Sequence, residues 1–468
     1  MRSHRSPQVL LATLVAACWA LASTASNVSD GGSAGGVCSR WLPWCDFPAE
    51  LNTRAPFNAA VARLPALERR LAAPSAPPQC NVDSLVEYLC TEAALNLGEG
   101  RCRWPGYAGL GSAGVVAPGS PPGDGLAAIE FLNGDVCGPR GFHGGLDPDV
   151  VFFYPVYKAP DMVALSINTL QHREHAFLVQ VTAGESAEFV AALLSLAGHY
   201  TNICVVRYGA VVYATGSQEM VQWPAMEWLL QLRRWRHYVL MCGQSLPLRG
   251  VRDLRALLQQ HPGTSFLRHT RSEMDANRRN TQRIKHACLP FCKRHPEFRN
   301  LTMRRANALT DTVTEHWYKV GSWPVKVLAR PFVEYAITSP QAFRLFHFFK
   351  YTYISNEHLL PTLFSAAGPA MWGTISDEWS STLAIWPKLT MRNTVLTQAH
   401  EHLWHGKKIL FARKFDPRVD HRVIQRLVHS HSPHIRMPWE LPSSLLGSRL
   451  PSAAGRHTAS NSSDTGRG

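Results

Sequence analysis

The segment VVFFYPVYKAPDMVALSINTLQHREHAFLVQVT, residues 150–182, decides the fold class. It opens with a run of β-branched and aromatic residues at 150–157, continues with helical spacing at 160–174 and ends in a second strand-like run at 176–182. Strand and helix alternating at this distance are typical of βαβ units, in which the two strands are parallel. The segment therefore predicts an α/β domain built on a mostly parallel sheet flanked by helices.

The alternation continues beyond this segment. The further predicted elements are a helix at 185–200 with Ser186 near its start, a strand at 202–207, a helix at 218–234 and a strand at 237–242. We expect the domain that these elements form to extend over residues 150–436.

The N-terminus is typical of a secretory targeting segment, which we place at 1–23. Arg2, His4 and Arg5 precede the apolar run VLLATLVAACWALAS, residues 9–23. The run is shorter than the ~20 residues that a membrane span needs, and small residues follow it. A cleaved signal peptide and an uncleaved type II signal anchor both fit. A flexible stem is expected at 24–36.

Eleven cysteines fit the same compartment. Apart from Cys18 they form an even set, which predicts disulfides in an oxidising compartment but does not give their connectivity. The spacing of Cys288 and Cys292, with His286 and His295 nearby, leaves a zinc site as the alternative.

The segments on either side of the α/β domain have their own compositions. Residues 37–149 are rich in Cys, Gly and Pro, contain a predicted helix at 81–97, and are expected to form a disulfide-pinned accessory region. Residues 437–468 are rich in Ser, Pro and Gly and are expected to be disordered.

The formal net charge of +14 favours anionic partners. Much of it lies in the basic stretch RHTRSEMDANRRNTQRIKHACLPFCKRHPEFRNLTMRR, residues 268–305, where a solvated basic helical face is the plain alternative. No nucleic-acid-binding signature accompanies the charge, and the targeting segment argues against a nucleic-acid partner.

Several common catalytic motifs do not occur in the context that their chemistry needs. No G-x-G-x-x-G, P-loop or G-x-S-x-G elbow follows a predicted strand, and AHEHLWHG at 399–406 departs from H-E-x-x-H. DPD at 147–149 has the D-x-D spacing of a metal site, although it precedes a strand where a metal pair would be expected to follow one.

Two late segments contain candidate site residues. In SNEHLLPTLF, residues 355–364, Glu357 is either a catalytic base or a first-turn residue of a helix capped by Ser355 or Asn356. In ILFARKFDP, residues 409–417, Arg413 and Lys414 are either a surface salt-bridged pair or cations aimed at phosphate oxygens.

These segments, taken in order, resemble one known family. The blocks are VVYATGSQEMVQWPAMEWLLQL (211–232), RRWRHYVLMCGQSLPLRG (233–250), WYKVGSWPVKVLARPFVEYAI (317–337), SNEHLLPTLF and FARKFDP. They look like the core-2/I-branching β-1,6-N-acetylglucosaminyltransferases, a family that also includes the peptide O-xylosyltransferases. The resemblance runs from about 150 to 427.

The resemblance implies a GT-A-like glycosyltransferase fold with a Rossmann-like sheet. It implies inverting transfer of GlcNAc, or less favoured xylose, from a UDP-sugar to a glycan or glycoprotein hydroxyl, with no cofactor and no metal. It also implies a Golgi type II membrane protein, or a protein of the secretory lumen if the signal is cleaved. Membrane association would then depend on the N-terminal anchor.

The resemblance also assigns roles to individual positions. Glu357 matches the catalytic base, Lys414 the diphosphate contact, Tyr213 a donor contact and Arg392, with one gap, a second diphosphate-binding arginine. Arg413 beside Lys414 is a further candidate for the diphosphate.

Two donor-binding positions depart from the family. Thr182 and Ser245 stand where it has aspartates, so a catalytically degenerate glycan- or polyanion-binding protein is the alternative function. We expect His358 to pack against or orient the base. The candidates for stacking on an acceptor sugar are Trp372, Trp379 and Trp386, with core packing as the alternative for each.

Overall fold

The structure is a computed structural model. It describes residues 38–39, 42–46, 82–97, 101–107, 129–209, 211, 215–268, 281–290, 300–305, 307–321, 325–386 and 393–440. The predicted targeting segment and stem, as well as Tyr213 and Arg392, lie outside these ranges. Within them, no helix combines the length and the apolar character needed to cross a membrane.

The strands are numbered in chain order. They are β1 (Glu130–Phe131), β2 (Cys137–Gly138), β3 (Gly141–Phe142), β4 (Val150–Val156), β5 (His175–Val181), β6 (Ile203–Arg207), β7 (His237–Leu240), β8 (Ser245–Pro247), β9 (His286–Pro290), β10 (Asn300–Arg304), β11 (Lys326–Ala329), β12 (Ser380–Leu383) and β13 (Ile409–Arg413).

The α-helices are numbered in the same way. They are α1 (Val82–Asn96), α2 (Pro160–Thr169), α3 (Ala187–Ala197), α4 (Ser217–Met220), α5 (Gln222–Leu230), α6 (Val251–Gln260), α7 (Thr281–Lys285), α8 (Ala308–Thr312), α9 (Arg330–Thr338), α10 (Pro340–Lys350), α11 (Leu359–Ala366), α12 (Pro369–Trp372) and α13 (Pro417–His431). A π-helical turn follows α8 at Val313–Trp317, and 3₁₀ turns lie at Ser355–Glu357, Gln398–Leu403 and Pro438–Glu440.

The central sheet has the order β1-β6-β5-β4-β7-β11. Its four inner strands are parallel, and β1 and β11 join antiparallel at the two edges. All seven residues of β5 are buried, because helices cover both faces of the sheet. The predicted mostly parallel sheet flanked by helices is therefore confirmed.

The helix predicted at 218–234 is divided. α4 ends at Met220 and α5 runs from Gln222 to Leu230. Pro224 has no N–H to donate to the carbonyl four residues earlier, which accounts for a break at this point. Helix α5 ends at Leu230, before Arg234, whose φ of 64° is left-handed.

Disulfide bonds cross-link the Cys-rich region at 37–149, as predicted. They join Cys38 to Cys90, Cys45 to Cys102 and Cys137 to Cys204. The first two tie the segment around 38–46 to α1 and the residues that follow it. Cys242, which is also described, forms no disulfide. Cys292 and His295 of the zinc alternative lie outside the described residues.

A second, smaller sheet has the order β12-β13-β8. β13 runs parallel to β12 and antiparallel to β8, so that Arg413 at its end lies opposite Ser245 at the start of β8. Helix α13 packs beside this sheet through Val423 and Ile424. Met437, the first residue of the predicted tail, is buried in the same cluster.

Candidate active site

The carboxyl ends of β4, β5, β6 and β7 lie at one edge of the central sheet, because these strands are parallel. Thr182 directly follows β5, and Cys242 comes two residues after β7. Lys326, the first residue of β11, pairs with Leu240, the last residue of β7, and so lies at the same edge. Ligands of open α/β sheets bind at this edge.

Glu357 is the last residue of a 3₁₀ turn, Ser355–Glu357, that precedes helix α11. The turn begins after Ile354, whose left-handed φ of 53° redirects the chain. Neither Ser355 nor Asn356 caps α11, whose N-cap is His358 without a side-chain bond. The predicted cap is therefore not formed, and Glu357 lies in the first turn of the 3₁₀ helix that precedes α11.

A buried ion pair places Glu357 at the edge where the parallel strands end. Lys326 Nζ lies 2.9 Å from Glu219 Oε2, and both side chains are 1% exposed. Glu219 belongs to α4, which packs against the turn that contains Glu357. The positive charge of Lys326 is near enough to favour the ionised form of Glu357. The sheet edge and the turn thus belong to one site.

Arg283 forms an ion pair with the candidate base. Its Nη1 donates to Glu357 Oε2 at 2.8 Å, and the two side chains are 25% and 22% exposed. Burial raises the pKa of the Glu357 carboxyl, while the guanidinium of Arg283 and, more weakly, the ammonium of Lys326 lower it. The net effect is a raised pKa, which suits a group that must take up a proton.

His358 is buried beside this pair. Its Nε2 lies 3.3 Å from Arg283 Nη1, and its Nδ1 lies 3.3 Å from the hydroxyl of Tyr318. Burial, with a smaller contribution from Arg283, lowers the pKa of His358 to about 3. The ring is therefore neutral, so it can accept from Arg283 and hold that side chain against Glu357.

Lys414 directly follows β13, and its carbonyl accepts from the backbone N–H of Leu396 at 2.8 Å. Ser245, opposite Arg413, is fully buried, and its Oγ lies 2.9 Å from Cys242 Sγ. The structure thus brings Ser245, Arg413 and Lys414 together after β7. Thr182 lies after β5 on the same edge of the central sheet.

The three tryptophans are spread around this region. Lys319 Nζ lies 5.6 Å from the ring centroid of Trp372. Two residues after Lys319, the backbone N of Gly321 lies 3.4 Å from the carbonyl oxygen of Glu357. Trp386 follows the end of β12 and is 37% exposed.

Trp379 has a different position. It precedes β12, at the end of the small sheet away from Arg413, and the guanidinium of Arg249 lies 5.0 Å from its ring centroid. Trp372 is thus the tryptophan placed beside the Glu357 turn, and Trp386 the one on the side of Lys414.

The DPD aspartates lie at the opposite edge of the central sheet. Asp147 and Asp149 precede β4 and form ion pairs with Arg234 and Arg236 at 3.4 and 3.1 Å. Across the described residues, no group of three or more His, Cys, Asp or Glu side chains is arranged to hold a metal ion. The aspartates therefore serve as arginine partners and do not face Glu357.

Arg283 is the site residue that sequence reasoning missed. It belongs to the basic stretch 268–305, for which a solvated helical face was the plain alternative. That alternative is wrong for Arg283 and also for Arg305, whose side chain is fully buried against Glu92. The only sequence signal was the density of positive charge, which does not say which arginine meets a carboxylate.

Residues 150–407 match the Core-2/I-Branching enzyme family. The chain is also 24% identical, over 294 residues, to a mouse beta-1,3-galactosyl-O-glycosyl-glycoprotein beta-1,6-N-acetylglucosaminyltransferase 4. That alignment covers 58% of this chain and 63% of the mouse protein, so the chain spans less than two thirds of that relative. Because the family match takes in more than half of the sequence, the chain belongs to the Core-2/I-Branching enzyme family.

Proposed function

We propose that the protein is an inverting glycosyltransferase that moves GlcNAc from a UDP-sugar to a hydroxyl of a glycan or glycoprotein. One observation carries the proposal: Glu357, paired with Arg283, lies at the edge of the sheet where the parallel strands end. Family membership supports the reaction class, and the name of the mouse relative supports GlcNAc as the donor sugar. Xylose remains the less favoured donor.

Glu357 is the general base in this proposal. Its Oε2 is engaged by Arg283, so Oε1 is the oxygen that would take the proton of the acceptor hydroxyl. The freed oxygen attacks the anomeric carbon as the bond from that carbon to the diphosphate breaks. Attack from the face opposite the leaving group inverts the anomeric configuration, and the proton stays on Glu357 until it is released to solvent.

Fixed cations would stabilise the leaving UDP. Negative charge develops on the diphosphate as it departs, and a preorganised cation at that point acts in the transition state. Arg413 ends β13 opposite Ser245, and Lys414 follows it, where a donor bound at the sheet edge would place its phosphates. We assign the same role to Arg392 on the strength of the family resemblance alone.

The remaining contacts are proposed from their placement. Thr182 and Tyr213 are candidates for the donor, together with Ser245, whose hydroxyl is already engaged by Cys242. Trp372 is the leading candidate for stacking on the acceptor sugar, because it lies on the side of the Glu357 turn. Trp386 and Trp379 follow in that order. We propose that no metal or other cofactor takes part, and that the protein acts in the Golgi or the secretory lumen.

A donor screen tests the proposed function. The full-length protein, purified from a secretory host, is incubated with single UDP-sugars and a β-1,3-galactosyl O-glycopeptide, the acceptor type in the name of the mouse relative. We expect UDP release and glycopeptide mass gain with UDP-GlcNAc. Absence of transfer and of donor hydrolysis with every UDP-sugar would reject the proposal.

The second candidate is a glycan- or polyanion-binding protein without activity. It is favoured by neutral residues at two donor positions, Thr182 and Ser245, where the resemblance places aspartates. The formal charge of +14 would supply the attraction to a polyanion. Strong retention on heparin, combined with no turnover in the donor screen, would favour this candidate.

A further inference from the structure

The helix α1 lies outside the family match, yet it contacts the catalytic part of the chain through a fully buried charge pair. Arg305 Nη1 donates to Glu92 Oε1 at 3.0 Å, and the two side chains are 0% and 7% exposed. Asn307 Nδ2 donates to the other oxygen, Glu92 Oε2, at 2.8 Å. Both oxygens of the buried carboxylate are thus satisfied by residues that follow strand β10.

The same guanidinium reaches the segment that leads to the candidate base. Arg305 Nη2 donates to the carbonyl of Phe348 at 2.7 Å and to the Thr352 hydroxyl at 3.1 Å, and the guanidinium lies 4.0 Å from the Phe348 ring centroid. Thr352 is two residues before Ile354, where the left-handed turn into Ser355–Glu357 begins. Arg305 therefore fixes the approach to Glu357.

The backbone of Arg305 contacts helix α7, to which Arg283 belongs. Its N–H donates to the carbonyl of Lys285 at 2.9 Å, and Lys285 is two residues after Arg283 on α7. The following strand β9 is joined to the Thr352 segment, because Cys288 N–H donates to the Tyr351 carbonyl at 2.6 Å. The two segments that present Arg283 and Glu357 thus meet at Arg305.

We propose that Glu92 and Arg305 are positioning residues that set the contact between Arg283 and Glu357, so that the disulfide-pinned N-terminal region is a working part of the active site. The proposal rests on the proposed function for its kinetic readout. The Cys38–Cys90 bond anchors α1 two residues before Glu92, which ties the buried carboxylate to the covalent framework of that region.

The test compares two charge-removing variants of the same helix. Glu92→Gln removes the carboxylate that holds Arg305. Glu87→Gln, the matched control, removes a second ion pair of α1, in which Lys350 Nζ lies 2.8 Å from Glu87 Oε1. The pH dependence of kcat/KM is measured for the wild type and both variants at equal concentrations of folded protein.

We expect Glu92→Gln to displace Arg283, which then lowers the pKa of Glu357 less. The acid limb of the pH profile of kcat/KM should therefore move to higher pH. Glu87→Gln should leave the limb in place. A role of Glu92 in stability alone would lower the yield or Tm without moving the limb. An unmoved limb in Glu92→Gln, or an equal movement in Glu87→Gln, would overturn the proposal.

Two further measurements keep the outcome decisive. Arg305→Lys keeps the charge beside Glu92 but cannot reach Phe348 and Thr352 together, so it should move the limb in the same direction if Glu92→Gln fails to fold. Hydrogen exchange needs no activity: Glu92→Gln should raise exchange at residues 284–290 and 351–358, and Glu87→Gln should raise it less. Unchanged exchange there would reject the positioning role even if the proposed function itself fails in the donor screen.

Discussion

Arg283 Nη1 lies 2.8 Å from Glu357 Oε2, and this contact joins the basic stretch to the turn that contains the candidate base. The two residues are 74 positions apart in the sequence. The pair is partly shielded from water, so the guanidinium affects the carboxylate more than an exposed ion pair would. The proposed transferase activity should therefore depend on both residues.

Removing the carboxylate tests the base directly. We expect Glu357→Gln to lower kcat by roughly 10²- to 10⁴-fold, the range typical of lost general base catalysis, while the Kd for UDP stays near its wild-type value. Initial rates and calorimetric titration with UDP measure the two quantities. Glu315→Gln, at a side chain that is 68% exposed, is the control and should retain activity. Wild-type turnover by Glu357→Gln would remove Glu357 from the mechanism.

Removing the guanidinium tests how the base is kept ionised. Arg283 lowers the Glu357 pKa against the effect of burial, so its loss leaves the carboxyl pKa higher. Glu357 must be ionised to accept a proton, and activity should therefore fall at a higher pH in Arg283→Met than in the wild type. Arg283→Lys should restore part of the difference. Superimposable pH profiles of kcat/KM for the wild type and Arg283→Met would contradict this account.

The effect of Lys414 can be distinguished from that of the overall positive charge by using a neighbouring lysine as a control. Lys408 lies just before β13, is exposed and pairs with Glu378. We expect Lys414→Ala to lower kcat by about 10²- to 10³-fold and to weaken UDP binding, because a cation on the leaving diphosphate acts in the transition state. Lys408→Ala should behave as the wild type. Equal effects of the two substitutions would mean that Lys414 acts only through the net positive charge of the protein and does not contact the diphosphate.

Chelation tests the absence of a catalytic metal. Because Asp147 and Asp149 are paired with arginines at the far edge of the sheet, we expect transfer to continue unchanged in EDTA. Asp149→Asn should likewise retain kcat, since its carboxylate lies away from Glu357. Activity that disappears in EDTA and returns with manganese would show that fixed cations are insufficient, and a metal site would then have to be found elsewhere.

The sheet could be predicted because its signal is local. β4 is a continuous apolar run, and β5 is apolar apart from His175 and Gln180, with a helical segment between the two strands. A strand buried on both faces leaves that pattern. The break between Met220 and Gln222 could have been anticipated from the missing N–H of Pro224, but the helical periodicity on both sides concealed it.

The site was harder to predict, for a different physical reason. The resemblance to the family pointed to Glu357, whereas its local geometry depends on Ile354 adopting a left-handed conformation that its β-branched side chain disfavours. Arg283 and Arg305 look alike within a run of basic residues. One meets Glu357 and the other is buried against Glu92, and only the three-dimensional path of the chain separates them.

Buried histidines lead to a last expectation about stability. Burial lowers the pKa of His175 and His237 to about 4, and that of His347 and His358 to about 3. In the unfolded chain such groups titrate near 6.5, so between pH 6.5 and about 4 the unfolded state binds more protons than the folded state. These histidines therefore make their full contribution to the free energy of unfolding above pH 6.5, and this contribution is lost as the pH falls through this window.

His347→Phe isolates one contribution to this loss. The His347 ring lies among aromatic side chains, with its centroid 4.6 Å from that of Phe343 and 5.8 Å from that of Trp44, so a phenyl ring suits the surroundings. Between pH 7.5 and 5.0, one such histidine accounts for about 2 kcal/mol of lost unfolding free energy. We expect urea unfolding of His347→Phe to show a correspondingly smaller loss over that range than the wild type. The exposed His421, replaced by Gln, should leave the loss unchanged, and an unchanged loss in His347→Phe would mean that its ring is already protonated in the folded protein.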